Sequence, residues 1–274
     1  MNLIVVTGAS GRLGGRVARQ YEGSKRLLVR DAARAPEVAG AEVAVAEYRD
    51  RAAVTRALDG AGTVLMVSAA ETPDRVDEHR SFVDAAVAAG VEHLVYTSFV
   101  GAAPDATFTL ARDHWATEEH IRRSGLAFTF LRDNLYADFM PLLVGEDGVI
   151  RGPAADGRAA VVAQDDIADA ITAVLRAPGE HAGRTYDLTG PAALSLTDVA
   201  ATISASTGRA VRFHDESIEE AYASRASFGA PSWQVDAWVS TYTAIAAGEL
   251  AEVTTAVEDL TGHPATPLAK LLET

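Results

Sequence analysis

Three glycines near the N-terminus, Gly8, Gly11 and Gly14, stand at GxxGxxG spacing between an apolar run, residues 3–7, and a helical pattern. The first glycine permits a tight turn. The second lets the backbone approach a pyrophosphate, and the third lets the helix pack close to its strand. The helix N-terminus then offers free N–H groups and a positive dipole end to phosphate. A glycine turn can be merely structural, but this placement points to a dinucleotide site. Two arginines follow at the next strand tip, Arg30 and Arg34. An acid there would bind a ribose 2′-hydroxyl, whereas a guanidinium matches a 2′-phosphate. The pair favours NADPH. Asp31 between them would suit NADH, and the three residues could also form a ligand-free surface cluster. Asp50, after the third strand, either accepts from an adenine amino group or caps the next helix. Ser68, Ala69 and Ala70 are small residues at a strand's carboxyl end, where a cofactor can lie across the backbone.

These residues need a scaffold that aligns strand ends. Apolar runs at 3–7, 26–30, 42–46, 63–67, 92–97 and 127–132 read as strands. Residues 13–22, 51–58, 75–89 and 112–124 read as helices, and 33–40 as a helical turn. This alternation implies an α/β fold of Rossmann type, with a doubly wound parallel sheet. Beyond residue 133 the rhythm changes. A strand-like piece at 159–163 leads into a helix from Asp165 or Asp166. A strand at 185–189 comes next, then a helix capped by Ser195 or Thr197 and a short strand at 210–213. The expected domains are therefore 1–133, binding the dinucleotide, and 134–274, a smaller interleaved C-terminal α+β lobe for substrate. Part of 159–190 would return to the first domain.

Composition excludes several classes. The 274 residues contain no cysteine, so thiolate metal sites and cysteine nucleophiles are absent. The net charge of −14 argues against nucleic acid as a partner. No apolar run reaches membrane-span length and no leader is evident, so a soluble cytoplasmic protein is expected. No histidine spacing suggests a metal site, and no GxSxG elbow suggests hydrolysis. His79 lies in a polar stretch that reads as a solvated helix face. Only two lysines occur, Lys25 and Lys270. The one Tyr-x-x-x-Lys pair, Tyr21 and Lys25, falls at the wrong edge of the sheet for the proton transfer that such a pair performs in alcohol dehydrogenases.

Several stretches together resemble a known family. They are residues 7–14, Val29-Arg30, residues 89–98, and the blocks Asp113-His114-Trp115-Ala116-Thr117-Glu118 and Leu131-Arg132-Asp133-Asn134-Leu135-Tyr136. Residues 262–268 also fit. The chain is similar to the NmrA-like atypical short-chain dehydrogenase/reductases, and within them to the quinone oxidoreductase type 2 subfamily. The resemblance implies NADPH in a cleft and hydride transfer to a quinone or similar small carbonyl acceptor, by a monomer or homodimer. It assigns Gly8, Ser10, Gly11, Arg12, Leu13 and Gly14 to the phosphate loop and Arg30 to the 2′-phosphate. Thr97, Ser98 and Phe99 would lie beside the nicotinamide, with Asn134 and Tyr136 at the substrate mouth. Asp31 and Asp133 depart from the subfamily pattern. The wider group also includes regulators that bind the cofactor without turnover, which is the rival reading.

A quinone makes smaller demands than a ketone, because the hydroquinone anion is far less basic than an alkoxide. Orientation and one hydrogen bond then suffice. His114 is the first candidate donor to the developing oxyanion and Tyr136 the second, although each could equally be a packing residue. Ser98 could bond substrate or carboxamide. Trp233, Trp238 and Phe228 could wall a ring-shaped apolar pocket or simply fill a core.

Overall fold

The computed structural model of the chain describes residues 3–273. The fold divides into two compact units that exchange segments of chain. The first comprises Met1–Phe99, Asp113–Arg132 and Asp165–Tyr186; the second comprises Val100–Arg112, Asp133–Gln164 and Asp187–Thr274. Residues 100–112, expected in the first domain, belong to the second unit.

Strand–helix alternation builds the first unit. In chain order it contains β1 (Leu3–Thr7), α1 (Arg12–Gln20), β2 (Lys25–Val29), β3 (Glu42–Val45), α2 (Arg51–Ala57), β4 (Ala61–Met66), α3 (Arg75–Ala88) and β5 (His93–Phe99). Most of α4 (Thr109–Ser124) and β6 (Ala127–Asp133) follow. The sheet runs β3-β2-β1-β4-β5-β6 and ends on a later strand, with β1 through β5 paired in parallel. Strand order reverses direction between β1 and β4, the switch point where open α/β sheets bind ligands. All six residues of β4 are buried, as a strand covered on both faces requires. Phe82, Val83 and Ala86 of α3 pack on a core with Val64, Met66, Tyr96 and Phe130.

One local expectation fails here and another is met only in part, each for a physical reason. His79, expected on a solvated face, is wholly buried, because α3 turns that side to the sheet. The expected turn at 33–40 is only a 3-10 turn over Ala32–Arg34. Ala35 stands before Pro36 and adopts the extended backbone that a following proline favours.

The second unit carries β7 (Val149–Gly152) and β8 (Arg158–Ala159). The chain then returns to the first unit through α5 (Gln164–Arg176) and β9 (Arg184–Leu188), the last strand of the large sheet. Next come β10 (Leu194–Ser195), α6 (Leu196–Thr207), β11 (Arg212–Asp215), α7 (Ile218–Arg225), α8 (Ser232–Ala246), α9 (Ala256–Thr261) and α10 (Leu268–Leu271). Strands β7 and β11 pair in parallel, β8 and β10 antiparallel. Ser195, not Thr197, caps α6 through a reciprocal capping box with Asp198. The strand expected at 159–163 shrinks to β8. The Ala160 N–H donates to Leu250 and the Val162 N–H to Leu135, so no single partner strand extends the ladder. Among the described residues no helix is long and apolar enough to cross a membrane.

The tightest approach around the first turn is at Gly14. A Cβ there would lie 2.4 Å from the Gly8 carbonyl oxygen and 2.7 Å from that of Thr7. Gly14→Ala should therefore destabilise the protein by roughly 1–3 kcal/mol, the cost of overpacking a rigid contact. Urea unfolding midpoints check this, and an unchanged midpoint would show that α1 can move away freely.

Candidate functional site

A cavity of about 380 Å³ opens at the carboxyl ends of β1, β2 and β4. Gly8, Ser10 and Gly11 line it from the β1–α1 turn, and Gly8 holds a left-handed φ of 61°. No side chain caps α1 at Gly11, and no acid stands in the helix's first turn. The cavity thus carries a positive helix end suited to phosphate. Arg30 and Arg34 line the same cavity, as do Ser68, Ala69 and Ala70. Asp31 is engaged elsewhere. Its carboxylate accepts the Ala33 N–H at 2.9 Å and caps the short turn that carries Arg34. A glycine cradle, an uncapped helix and two guanidiniums in one cavity fit a phosphorylated dinucleotide.

Other residues expected at this site lie outside the cavity lining. Leu13 is buried in the core, and Gly14 sets the helix against the strand. Arg12 opens α1 and is exposed, outside the cavity lining. Asp50 accepts the Ala53 N–H at 2.9 Å and so caps α2. Thr97 is buried, and its hydroxyl accepts the Ser68 N–H at 2.9 Å. It shapes the loop after β4 from behind.

That loop is fixed by residues that the local sequence pattern did not single out. The Thr7 hydroxyl accepts the Val67 N–H at 2.9 Å, and the Tyr48 hydroxyl donates to the Val67 carbonyl at 2.7 Å. Burial pushes the Tyr48 phenol far up, so it stays a donor. Two residues further on, both peptide groups of Ala69 are held. Its N–H donates to His79 Nε2 at 2.9 Å, and Arg75 Nε donates to its carbonyl at 3.0 Å. Spacing i, i+4 on α3 places Arg75 and His79 on one face, but only the tertiary fold brings Ala69 to it.

His114 belongs to the same network. It is 6% exposed. Arg75 Nη2 lies 3.0 Å from its Nε2, and the Tyr96 hydroxyl lies 3.0 Å from its Nδ1. A guanidinium can only donate, so Nε2 accepts and Nδ1 carries the proton toward Tyr96. Neither nitrogen has an N–H left for a substrate oxyanion, because both face protein partners in a buried position. Phe99 lies beside His114, with ring centroids 6.0 Å apart. The Ser98 hydroxyl is likewise engaged, donating to Glu118 Oε1 at 2.6 Å. Glu118 is fully buried and takes Arg132 in a bidentate pair, at 2.8 and 2.7 Å. Lys25 donates to the Tyr21 carbonyl and has no part in this network.

In the second unit Asn134 is fully buried. Its Nδ2 donates to the Leu250 carbonyl at 3.0 Å and its Oδ1 accepts the Leu135 N–H at 2.7 Å, so it staples chain segments together. Tyr136 lines an apolar cavity of about 630 Å³, together with Phe139, Met140, Trp238, Tyr242 and Phe228. Trp238 and Phe228 meet edge to face at 5.9 Å. Trp233 is outside the lining. The Tyr136 hydroxyl bonds Asp133 Oδ2 at 2.7 Å.

The buried imidazoles give a signature in solution. Burial first, and the Arg75 charge next, hold both His79 and His114 well below the ordinary 6.5. Unfolded, both would titrate near 6.5. Between that value and their folded values the unfolded chain binds more protons, so their contribution to stability is full above about pH 6.5 and falls as pH drops. The wild type should lose stability from about pH 7 to about pH 5 more steeply than His79→Gln/His114→Gln, which should be weaker at neutral pH but flatter. Urea midpoints measured across this range test it; equal slopes would show that the two rings are charged in the fold.

The family model described as NmrA-like matches residues 1–230. Quinone oxidoreductase 2 of Escherichia coli is 33% identical, covering 98% of this chain and 96% of its own. NAD(P)H azoreductase of Xenophilus azovorans is 32% identical at the same coverage. The NADPH complex of the Escherichia coli quinone oxidoreductase superposes with a TM-score of 0.89, covering 98% of each chain. Triphenylmethane reductase of Citrobacter, solved with NADP(H), gives 0.87 at 29% identity and 99% coverage of each chain. With a dinucleotide cradle at the sheet's switch point and similarity over nearly its whole length, the chain belongs to the NmrA-like family.

Proposed function

We propose that this protein is an NADPH-dependent reductase of quinones and related small conjugated acceptors. One observation carries the reading: the uncapped N-terminus of α1, the Gly8–Gly11 turn and both Arg30 and Arg34 share a single cavity. In this reading Gly8 and Gly11 let the backbone approach the pyrophosphate, and Arg30 and Arg34 hold the 2′-phosphate. With Asp31 engaged in capping, the balance favours NADPH over NADH. Bound NADPH supplies a hydride.

The acceptor binds in the apolar, aromatic-lined cavity of the second unit, whose Tyr136, Tyr242, Trp238 and Phe228 suit a flat ring system. Tyr136 brings a hydroxyl to that cavity and is the donor for the oxygen on which charge develops. His114, Arg75 and His79 hold the loop at Ala69 in place. Similarity over nearly the full length to proteins named as quinone, azo and triphenylmethane reductases supports an enzyme over a regulator that only binds the cofactor.

The test is NADPH and NADH oxidation with a panel of benzoquinones and naphthoquinones. Wild type should turn over and prefer NADPH. Arg30→Ala should lose roughly 10–100-fold in NADPH affinity, the worth of a charge-assisted phosphate contact, and leave NADH affinity unchanged. Tight NADPH binding without quinone-dependent oxidation would favour the regulator.

A further inference from the structure

Asp133 is the buried acid for which the reductase reading has no use. It ends β6, is 2% exposed, and has an oxygen, Oδ1, that no donor reaches. Its other oxygen meets the Tyr136 hydroxyl at 2.7 Å, and Tyr136 lines the apolar cavity. A buried carboxylate oxygen without a donor is costly, whereas the protonated acid needs fewer partners. The adjacent cation in sequence, Arg132, directs a bidentate pair at Glu118.

We propose that Asp133 is the proton reservoir for acceptor reduction, acting through the Tyr136 hydroxyl. The inference rests on the reductase reading above. Hydride transfer converts a quinone into a hydroquinone monoanion, oxidising the nicotinamide by two electrons. The Tyr136 O–H bond then breaks and its proton goes to the product oxyanion. The Tyr136 oxygen takes the proton of the Asp133 carboxyl, and the carboxylate left behind is reprotonated from water. One hydrogen-bonded pair serves both states: the carboxyl donates to the phenol when protonated and accepts from it when ionised.

The acidity suits a proton donor. Burial pushes the Asp133 carboxyl up to about 7, opposed by the Tyr136 bond and by its own backbone. Among the described residues those are the groups that set it, with Tyr136 the one titratable partner, so no nearby guanidinium or carboxylate overrides burial. A carboxyl near neutrality is matched to proton donation at physiological pH. It also explains how a chain without a usable Tyr-x-x-x-Lys pair can keep a tyrosine supplied with protons.

Asp133→Asn retains a polar group of the same shape but cannot give up a proton. It should lower kcat at neutral pH by about 10²-fold, leave NADPH binding unchanged, and abolish the fall in wild-type kcat as pH rises through about 7. Tyr136→Phe should give a similar loss, and the double variant no more than either, because the two act in series. Infrared spectroscopy of the unreacted protein supplies an independent readout. Wild type should show a protonated-carboxyl band that fades through the same pH range and is missing in Asp133→Asn. If that variant fails to fold, the Tyr136→Phe profile and the wild-type band decide. Wild-type kcat and pH profile in Asp133→Asn, or no protonated carboxyl at mildly acidic pH, would overturn the proposal while leaving the reductase reading intact. A wild type inactive with every quinone would remove both.

Discussion

The contact of Gly14 with the carbonyls of Gly8 and Thr7 underlies the whole nucleotide pocket. Because residue 14 has no side chain, α1 closes onto the end of β1 with no Cβ between helix and strand. That closeness aims the helix's first N–H groups at the turn, and the turn's left-handed Gly8 opens the space that phosphate would fill. The remaining wall follows from parallel pairing. Strands β2 and β4 flank β1, so their carboxyl ends bring Arg30 and the Ser68–Ala70 segment to the same rim.

Behind that rim lies a polar network in an apolar core. Thr7, Thr97, Tyr48, His79 and Arg75 satisfy successive peptide groups from Val67 to Ala69. Each bond contributes modestly to stability, but a buried peptide group left unpaired would cost about 1–3 kcal/mol. The network therefore holds the loop in one conformation. Burial first, and then the network's cation Arg75, hold His114 well below its ordinary range: the site has little water to solvate a charge, and the guanidinium donates to the ring and repels a second positive charge.

The second unit is organised around apolar space instead. Its large cavity is lined by aromatic rings, with the guanidinium of Arg225 stacked 5.0 Å from the Tyr242 ring and paired with Glu216 at 2.9 Å. Tyr136 belongs to the same lining, and its hydroxyl bonds the buried Asp133.

The α/β class, the order of the first six strands along the chain, the glycine cradle and the paired arginines were all legible in the residues alone. These rest on short-range physics: hydrophobic period, glycine conformation, and the rule that parallel strands align their carboxyl ends. The family was legible in the blocks around His114 and Tyr136. Which way the side chains in those blocks face emerged only once the chain was folded. His114, Ser98 and Asn134 carry catalytic-looking groups, yet each finds partners brought from 18 to 116 residues away, which no local pattern encodes. Asp31 and Asp50 became caps because the turns beside them needed an acceptor. The fold likewise turned Tyr136 toward Asp133 and buried the acid where water cannot solvate its charge. Near neighbours in sequence became a chemical unit only there, because proton affinity is set by surroundings and not by residue type.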